Sequence, residues 1–191
     1  MPLIDAYFYC DEIYGGYKAP ASSEDASKRA YLESSHYGWS EISSFDYSLD
    51  SKKSPKISIS KSIDRASNAF YSLYLKRRTS KPGGDNKTPP PEIGEIVLEF
   101  CRWIDDEDSG KGNKFQVFLQ YTFEGCRILE YSTEANASED DLPEEKISFN
   151  CQKMTMSYFY REATVTSEGK ITYSDEKTSE FTHDFRNSKS Q

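Results

Sequence analysis

The hydrophobic period changes in the middle of residues 54–78, and this change limits the fold more than any other feature of the chain. The first half alternates apolar and polar residues, as a half-buried β-strand does, with apolar positions at Ile57, Ile59 and Ile63. From Asp64 onward the spacing becomes that of one helix face, on which lie Ala66, Ala69, Phe70, Leu73 and Tyr74. Because Asp64 also suits a helix N-cap, the sequence predicts a strand that leads directly into a short helix over about residues 64–77.

Most of the remaining chain has strand character. Strands are expected at residues 3–10, 37–49, 93–104, 114–123, 126–132, 147–158 and 163–173. We therefore expect a mainly β protein, an antiparallel β-barrel or two-sheet sandwich with one short flanking helix. A slip of the alternation at Gln152–Lys153 predicts a β-bulge. The length of 191 residues allows one core, so a single domain is expected over residues 1–175, followed by a polar, mobile tail over 176–191.

Four cysteines lie apart, each inside a run that resembles a strand: Cys10, Cys101, Cys126 and Cys151. We interpret them as reduced core residues of a protein made in the cytoplasm, because their spacing matches no zinc pattern. Trp39 is expected in the core of the second strand, with an interface or ligand anchor as the alternative. No apolar run is long enough to span a membrane, and the N-terminus lacks the basic and apolar regions of a secretory signal.

Residues that could carry chemistry form no recognisable motif. His36 and His183 have no nucleophile near them in sequence, although a triad could still assemble in space. The acidic turn at residues 105–113 lacks the ligand order of a calcium loop. We therefore predict no catalytic residue, no cofactor and no metal site.

The net charge of −8 is unevenly distributed, since residues 51–88 carry +8 and the remainder carries −16. One interpretation is a solvated basic helix beside a loop. The other is electrostatic complementarity between copies of the chain. Nucleic-acid binding is disfavoured because the rest of the surface would repel phosphates. The candidate self-assembly residues are Asp50, Ser51, Lys52, Lys53, Ser54, Lys76, Arg77 and Arg78.

The order of several motifs is more specific than any one of them. A Trp39-Ser40 strand is followed by a charged connection, a Lys-Ile-Ser-Ile strand and then Lys61-Ser-Ile-Asp64, where the helix begins. A strand pair then leads into Arg127–Ser132, and an acidic loop precedes residues 144–158. This order resembles the haemolysin-coregulated protein family, the inner-tube subunits of bacterial type VI secretion systems, over about residues 3–175. The departures from the family are the stretch at 82–91, the loop at 14–35, the C-terminal tail and the lack of a Gly-rich segment before the third strand.

The resemblance implies a barrel of two antiparallel sheets whose copies form hexameric rings. The rings would stack into a tube, capped by a spike protein (VgrG-like) and wrapped by a contractile sheath, and small effector proteins could travel in its channel. The subunit would be no enzyme, would assemble in the bacterial cytoplasm and would be exported without a signal peptide. By family analogy, the connection Asp50–Ser54 would contact the next ring or subunit.

Two other functions remain open on the sequence alone. A phage tail tube or another contractile-injection tube would use the same barrel. A monomeric β-barrel that binds a small ligand would instead need a large apolar cavity in its interior.

Overall fold

A computed structural model of the chain describes residues 4–10, 13, 15, 36–49, 55–79, 92–104, 114–135, 142–167, 171–174 and 176–186. The described elements follow in this order: β1 (Ile4–Cys10), β2 (Ser40–Glu41), β3 (Ser44–Ser48), β4 (Lys56–Ser62), α1 (Ser67–Thr79), β5 (Ile96–Ile104), β6 (Lys114–Glu124), β7 (Arg127–Glu134), β8 (Glu144–Asn150), β9 (Lys153–Tyr160), β10 (Ala163–Val165), β11 (Ile171–Tyr173) and β12 (Lys177–Asp184).

The strands form two main antiparallel sheets and a small hairpin. The larger sheet has the order β12-β9-β6-β5-β1-β2, and the smaller has the order β3-β4-β8-β7. Strands β10 and β11 pair only with each other among the described residues. The predicted fold class, two antiparallel sheets with a short helix on the flank, is confirmed.

The chain steps from one sheet to the other through three two-residue connections. They join β2 to β3, β6 to β7 and β8 to β9. Each connection buries one side chain, which is Ile42, Cys126 or Cys151. The middle one also contains Gly125 with a φ of 63°, in the left-handed region that favours glycine.

These connections correct two sequence predictions. Residues 37–49 were expected to form one strand, but β2 and β3 lie in different sheets. The slip at Gln152–Lys153 is not a β-bulge, because it marks the crossing from β8 to β9. Register shifts lie instead between Phe100 and Cys101 and between Ile128 and Glu130.

The core lies between the sheets and is built from the inward-facing residues of each strand. It includes Phe8 and Leu98 of the larger sheet and Ile57, Ile59 and Phe149 of the smaller one, all nearly inaccessible to solvent. Aromatic rings join the layers, since Phe149 contacts both Phe8 and Phe123. The four cysteines are reduced and buried, as predicted. Trp39 is only half-buried and stacks on Tyr9 with ring centroids 5.1 Å apart.

The helix begins at Ser67, after a turn at residues 65–66, and ends at Thr79. Its predicted apolar face is confirmed: Ala66 and Phe70 are buried, and Ala69, Leu73 and Tyr74 pack against the core. Ile63 differs from its prediction, because it is exposed at the end of the strand pattern. No helix in the described part of the chain is long and apolar enough to cross a membrane.

The C-terminal stretch also differs from its prediction. Residues 177–184 are not a mobile tail, because β12 pairs with β9 from Lys177 opposite Tyr160 to Asp184 opposite Lys153. The strand lies at the sheet edge with most of its side chains exposed, so both of its faces can be polar. The connection Asp50–Ser54, the stretch 82–91, the turn 105–113 and residues 16–35 lie outside the described residues.

Removal of β12 provides a test of this correction. Truncation after Ser174 should lower the free energy of unfolding by about 2 kcal/mol or more, because β9 loses a full ladder of backbone hydrogen bonds. For a chain of this size, the melting temperature should fall by roughly 5 °C or more in calorimetry. Truncation after Arg186 is the matched control and should leave the melting temperature unchanged. Equal melting temperatures for both truncations would contradict the pairing of β12 with β9.

Candidate functional site

A charged cluster lies buried where the smaller sheet meets the helix. Lys61 of β4 has the same strand parity as Ile57 and Ile59, so its side chain faces inward and is 0% exposed. Glu145 of β8 is likewise 0% exposed and is the register partner of Lys61. The Lys61 Nζ lies 2.6 Å from the Glu145 Oε1. A buried charge requires such a partner, because leaving either group alone in the interior is costly.

Asp64 extends this cluster towards the larger sheet. The Lys61 Nζ lies 2.7 Å from the Asp64 Oδ1, and the Asp64 side chain is 20% exposed. The hydroxyl of Ser40, in β2, donates a 2.6 Å hydrogen bond to the Asp64 Oδ2. The cluster therefore joins β2 of one sheet to β4 and β8 of the other.

The same aspartate caps the N-terminus of the helix. The Ala66 N–H donates a 2.8 Å hydrogen bond to the Asp64 Oδ1, and the Asp64 N–H donates a 2.9 Å hydrogen bond to the Ser67 Oγ. These reciprocal bonds form a capping box, so the predicted N-cap is confirmed. The Ser67 hydroxyl also donates a 2.8 Å hydrogen bond to the Glu145 Oε1, which ties the first turn of the helix to β8.

Tyr131 completes the cluster from β7. Its hydroxyl donates a hydrogen bond to the Glu145 Oε2, and its ring contacts Tyr71 and Tyr74 of the helix. Burial and the Glu145 carboxylate raise the pKa of Tyr131 to about 12, so the hydroxyl remains a donor. Burial alone would raise the pKa of Asp64. However, the hydrogen bonds from Lys61 and Ser40, the Lys61 charge and the Ala66 N–H hold that pKa below its ordinary value.

The role that the bonds of this cluster support is the positioning of the helix against the strands of both sheets. The Lys61 ammonium also donates a 3.1 Å hydrogen bond to the Ser62 carbonyl, so it is saturated with acceptors. The sequence motif Lys61-Ser-Ile-Asp64 corresponds to this cluster. Glu145 was missed at the sequence level, although a charge at an inward strand position, beside Ile147 and Phe149, was the available signal.

The other candidate chemical groups are also placed by the structure. His36 is buried, and its Nε2 lies 2.8 Å from the Glu99 Oε2. The other carboxylate oxygen of Glu99, Oε1, accepts a hydrogen bond from the Gln120 side chain. Burial raises the pKa of the Cys126 thiol and raises that of Cys151 to about 12, so neither is activated as a thiolate. In the described ranges, no group of three or more His, Cys, Asp or Glu side chains is arranged to hold a metal ion.

The predicted self-assembly residues are partly placed. Lys76 is exposed on the helix, whereas the Arg77 guanidinium donates a hydrogen bond to the Ile128 carbonyl beside the register shift in β7. Arg78 belongs to the last helical turn. The remaining candidates, Asp50–Ser54, lie outside the described residues. They connect the end of β3 to the start of β4, and these two strand ends lie together at one end of the smaller sheet, where Ser48 is opposite Lys56.

The buried ion pair can be tested by mutation. Lys61→Met should lower the free energy of unfolding by about 3–5 kcal/mol, because it leaves buried carboxylates without their cation. Adding Glu145→Gln should restore half or more of this loss. The control is Lys56→Met, which removes an exposed pair with Glu130 and should cost less than about 1 kcal/mol. Similar losses for Lys61→Met and Lys56→Met, measured by urea unfolding, would contradict the assignment.

The depressed pKa of Asp64 predicts acid sensitivity. The folded-state pKa lies below the unfolded value, so the stabilising contribution is complete above the unfolded value, near pH 4, and is lost as the pH falls through the folded pKa. Asp64→Asn keeps an effective N-cap but lacks the titrating group. The difference in unfolding free energy between wild type and variant should therefore shrink between pH 5 and pH 2. A difference that is constant over this range in urea titrations would refute the prediction.

Comparisons with known proteins identify the fold. No family model matches the chain, and no curated protein matches it. The structure is similar to Hcp1 from Salmonella typhimurium, with a TM-score of 0.57, 16% identity, and coverage of 97% of this chain and 96% of that one. A type VI secretion system effector from Yersinia pestis matches with a TM-score of 0.54, 16% identity and coverage of 94% and 99%. The secreted protein Hcp3 from Pseudomonas aeruginosa matches with a TM-score of 0.52, 10% identity and coverage of 96% and 98%. The chain therefore has, over nearly its whole length, the fold of the Hcp proteins that its sequence motifs resemble.

Proposed function

We propose that this protein is the tube subunit of a type VI secretion system. The observation that carries the proposal is the match to Hcp and type VI secretion proteins over nearly the whole of both chains. The motif that suggested the same family in the sequence, Lys61–Asp64, occupies the point where strand, helix and both sheets meet. Fold and motif thus support one function independently.

The sheet edges suggest how copies would join. The smaller sheet ends in β3 on one side and in β7 on the other, and neither has a further strand partner among the described residues. A ring is built from one repeated contact between two different surfaces of the same chain. We propose that the β3 side of one copy meets the β7 side of the next, which would also cover unpaired strand edges.

The charged residues would contribute to the same assembly. We propose that Asp50–Ser54 and the helix residues Lys76–Arg78 contact neighbouring copies in a homohexamer and between stacked rings. The remaining partners follow from the family: a VgrG-like spike protein, a contractile sheath and small effectors in the channel. Assembly would occur in the bacterial cytoplasm, and export would proceed through the secretion apparatus without a signal peptide.

The space between the sheets disfavours a small-ligand carrier. In the described part of the chain this space holds packed side chains such as Phe8, Phe123 and Phe149, which lie at or below 2% exposure. The described clefts of about 340 Å³ and 370 Å³ open at the surface, at Gly125–Arg127 and beside Phe45. A contractile-injection or phage tail tube would share the tube architecture and differ in the genes beside it.

The oligomer itself is the test of this function. Native mass spectrometry of the purified protein should give a hexamer, and negative-stain images should show six-fold rings. Lys52→Glu combined with Lys53→Glu should reduce association at low salt, because it reverses charge in a predicted contact. The control pair Glu176→Lys with Glu180→Lys lies on the exposed C-terminal segment and should leave the mass unchanged. A monomer under all salt conditions would refute the tube function.

A further inference from the structure

Two neighbouring connections cross from one sheet to the other at the same place. The last register pair of β6 with β9 is Glu124 with Lys153, and the first of β7 with β8 is Arg127 with Asn150. Two residues of each chain segment lie between these register pairs. The two connections therefore bend together, as one two-stranded ribbon.

This arrangement places two cysteines opposite each other. Because the segments are antiparallel, Gly125 is opposite Gln152 and Cys126 is opposite Cys151. A Cβ at Gly125 would lie 2.7 Å from the Gln152 side chain, which agrees with the first of these pairs. The Gln152 N–H also donates a 2.9 Å hydrogen bond to the Glu124 carbonyl, so the segments stay bonded through the crossing.

Both thiols lie on the inner side of the crossing. Cys126 is 0% exposed and Cys151 is 4% exposed, and both belong to the core between the sheets. After burial, the charge of an ionised Cys151 is the largest influence that raises the pKa of Cys126, so the two sulfurs are neighbours. Opposed residues of antiparallel strands have Cα atoms about 4.5–5.5 Å apart, and a disulfide requires about 4.4–6.8 Å. The two positions therefore match the spacing of a disulfide.

The other two cysteines are less suited to this bond. Cys101 is opposite Asp5 and has the strand parity opposite to that of the core residue Leu98, so it lies on the outer face of the larger sheet. Cys10 lies in the core on β1, which is separated from β6 by β5. Two strand spacings amount to about 9–10 Å, which is too far for a disulfide.

Access from the surface distinguishes the two opposed thiols. Among the described residues, Cys151 lines a cleft of about 340 Å³, whereas Cys126 does not. The guanidinium groups of Arg127 and Arg186 line the same cleft. A small reagent can therefore approach Cys151 first, and a small anionic reagent meets positive charge there.

We propose that Cys126 and Cys151 are a redox-responsive pair that closes to a disulfide when the folded chain meets a small-molecule disulfide such as oxidised glutathione. The Cys151 thiolate attacks one sulfur of the reagent, whose S–S bond breaks and whose other half leaves as a thiolate. The Cys126 thiolate then attacks the Cys151 sulfur, which forms the protein disulfide and releases the second half of the reagent. Each leaving thiolate takes up the proton that one cysteine lost, so the reagent is reduced to two thiols.

The surroundings of the pair make this exchange slow. Burial raises the pKa of both thiols, and the carboxylates of Glu92 and Glu124 add to the effect at Cys126. The pair consequently stays open in a reducing compartment and closes over time in an oxidising one. This inference goes beyond the proposed tube function, because it requires no second copy and no secretion apparatus.

Oxidation of the reduced, folded wild-type chain tests the proposal. Overnight incubation with excess oxidised glutathione, then alkylation in urea and peptide mass mapping, should give a linked Cys126–Cys151 peptide and alkylated Cys10 and Cys101. The closed loop restricts the unfolded chain, so the melting temperature should rise by roughly 5 °C or more and return after reduction. Four alkylated cysteines, or a link to Cys10 or between chains, would overturn the proposal.

Single substitutions identify the role of each sulfur. Cys126→Ala should stop at a mixed disulfide of glutathione with Cys151, whereas Cys151→Ala should bind no glutathione at Cys126. Cys101→Ala is the matched control and should form the disulfide as the wild type does. Glutathione on Cys126 in Cys151→Ala would overturn the assignment of Cys151 as the attacking thiol. Absence of rings in the wild type would refute the tube function and leave this inference intact.

Discussion

The ion pair between Lys61 and Glu145 is the interaction on which the arrangement of the helix depends. Through Ser67 and Tyr131 the Glu145 carboxylate is bonded to the first helical turn and to β7, and through Asp64 the Lys61 ammonium is linked to β2. Neither charge has access to solvent, so removing one partner alone would leave an unpaired buried charge and destabilise the fold. The cluster consequently holds five elements together, namely β2, β4, α1, β7 and β8, and thereby fixes where the helix starts.

Buried ion pairs are a weak source of stability, but this one can specify register. Slipping β4 by one residue against β8 would turn Lys61 to the outer face and expose Ile57 and Ile59. The ion pair and the hydrophobic alternation therefore select the same pairing of β4 with β8. The direction of the helix follows, because its capping box uses Asp64 and Ser67 from the same cluster.

The sequence was sufficient to predict elements whose burial follows a period. Strand β4 and helix α1 were recognised because one of their faces is apolar, and the fold class followed from them. Strand β12 was missed because, at the sheet edge, most of both its faces is exposed and no alternation arises. The sheet crossing at Ile42 was missed because Trp39, Phe45 and Tyr47 keep one parity across it. The crossing at Cys151 was visible as a slip of the alternation but was interpreted as a β-bulge. The Lys61–Glu145 contact joins distant parts of the sequence, and only the inward parity of both charges indicated it.

The two charged ends of the smaller sheet differ in how well one copy explains them. The cations of Lys76–Arg78 lie where the helix dipole favours positive charge, and Arg77 also satisfies a strand carbonyl. Glu134 and Glu144 have no comparable reason to face each other, and their repulsion opposes the pairing of β7 with β8. The buried cluster cannot relieve this repulsion, because Lys61 is already saturated by Glu145 and Asp64. The cation beside this pair within one copy is the exposed Lys146, which follows Glu144 by two residues on the same face of β8 and lies opposite Ser132 of β7.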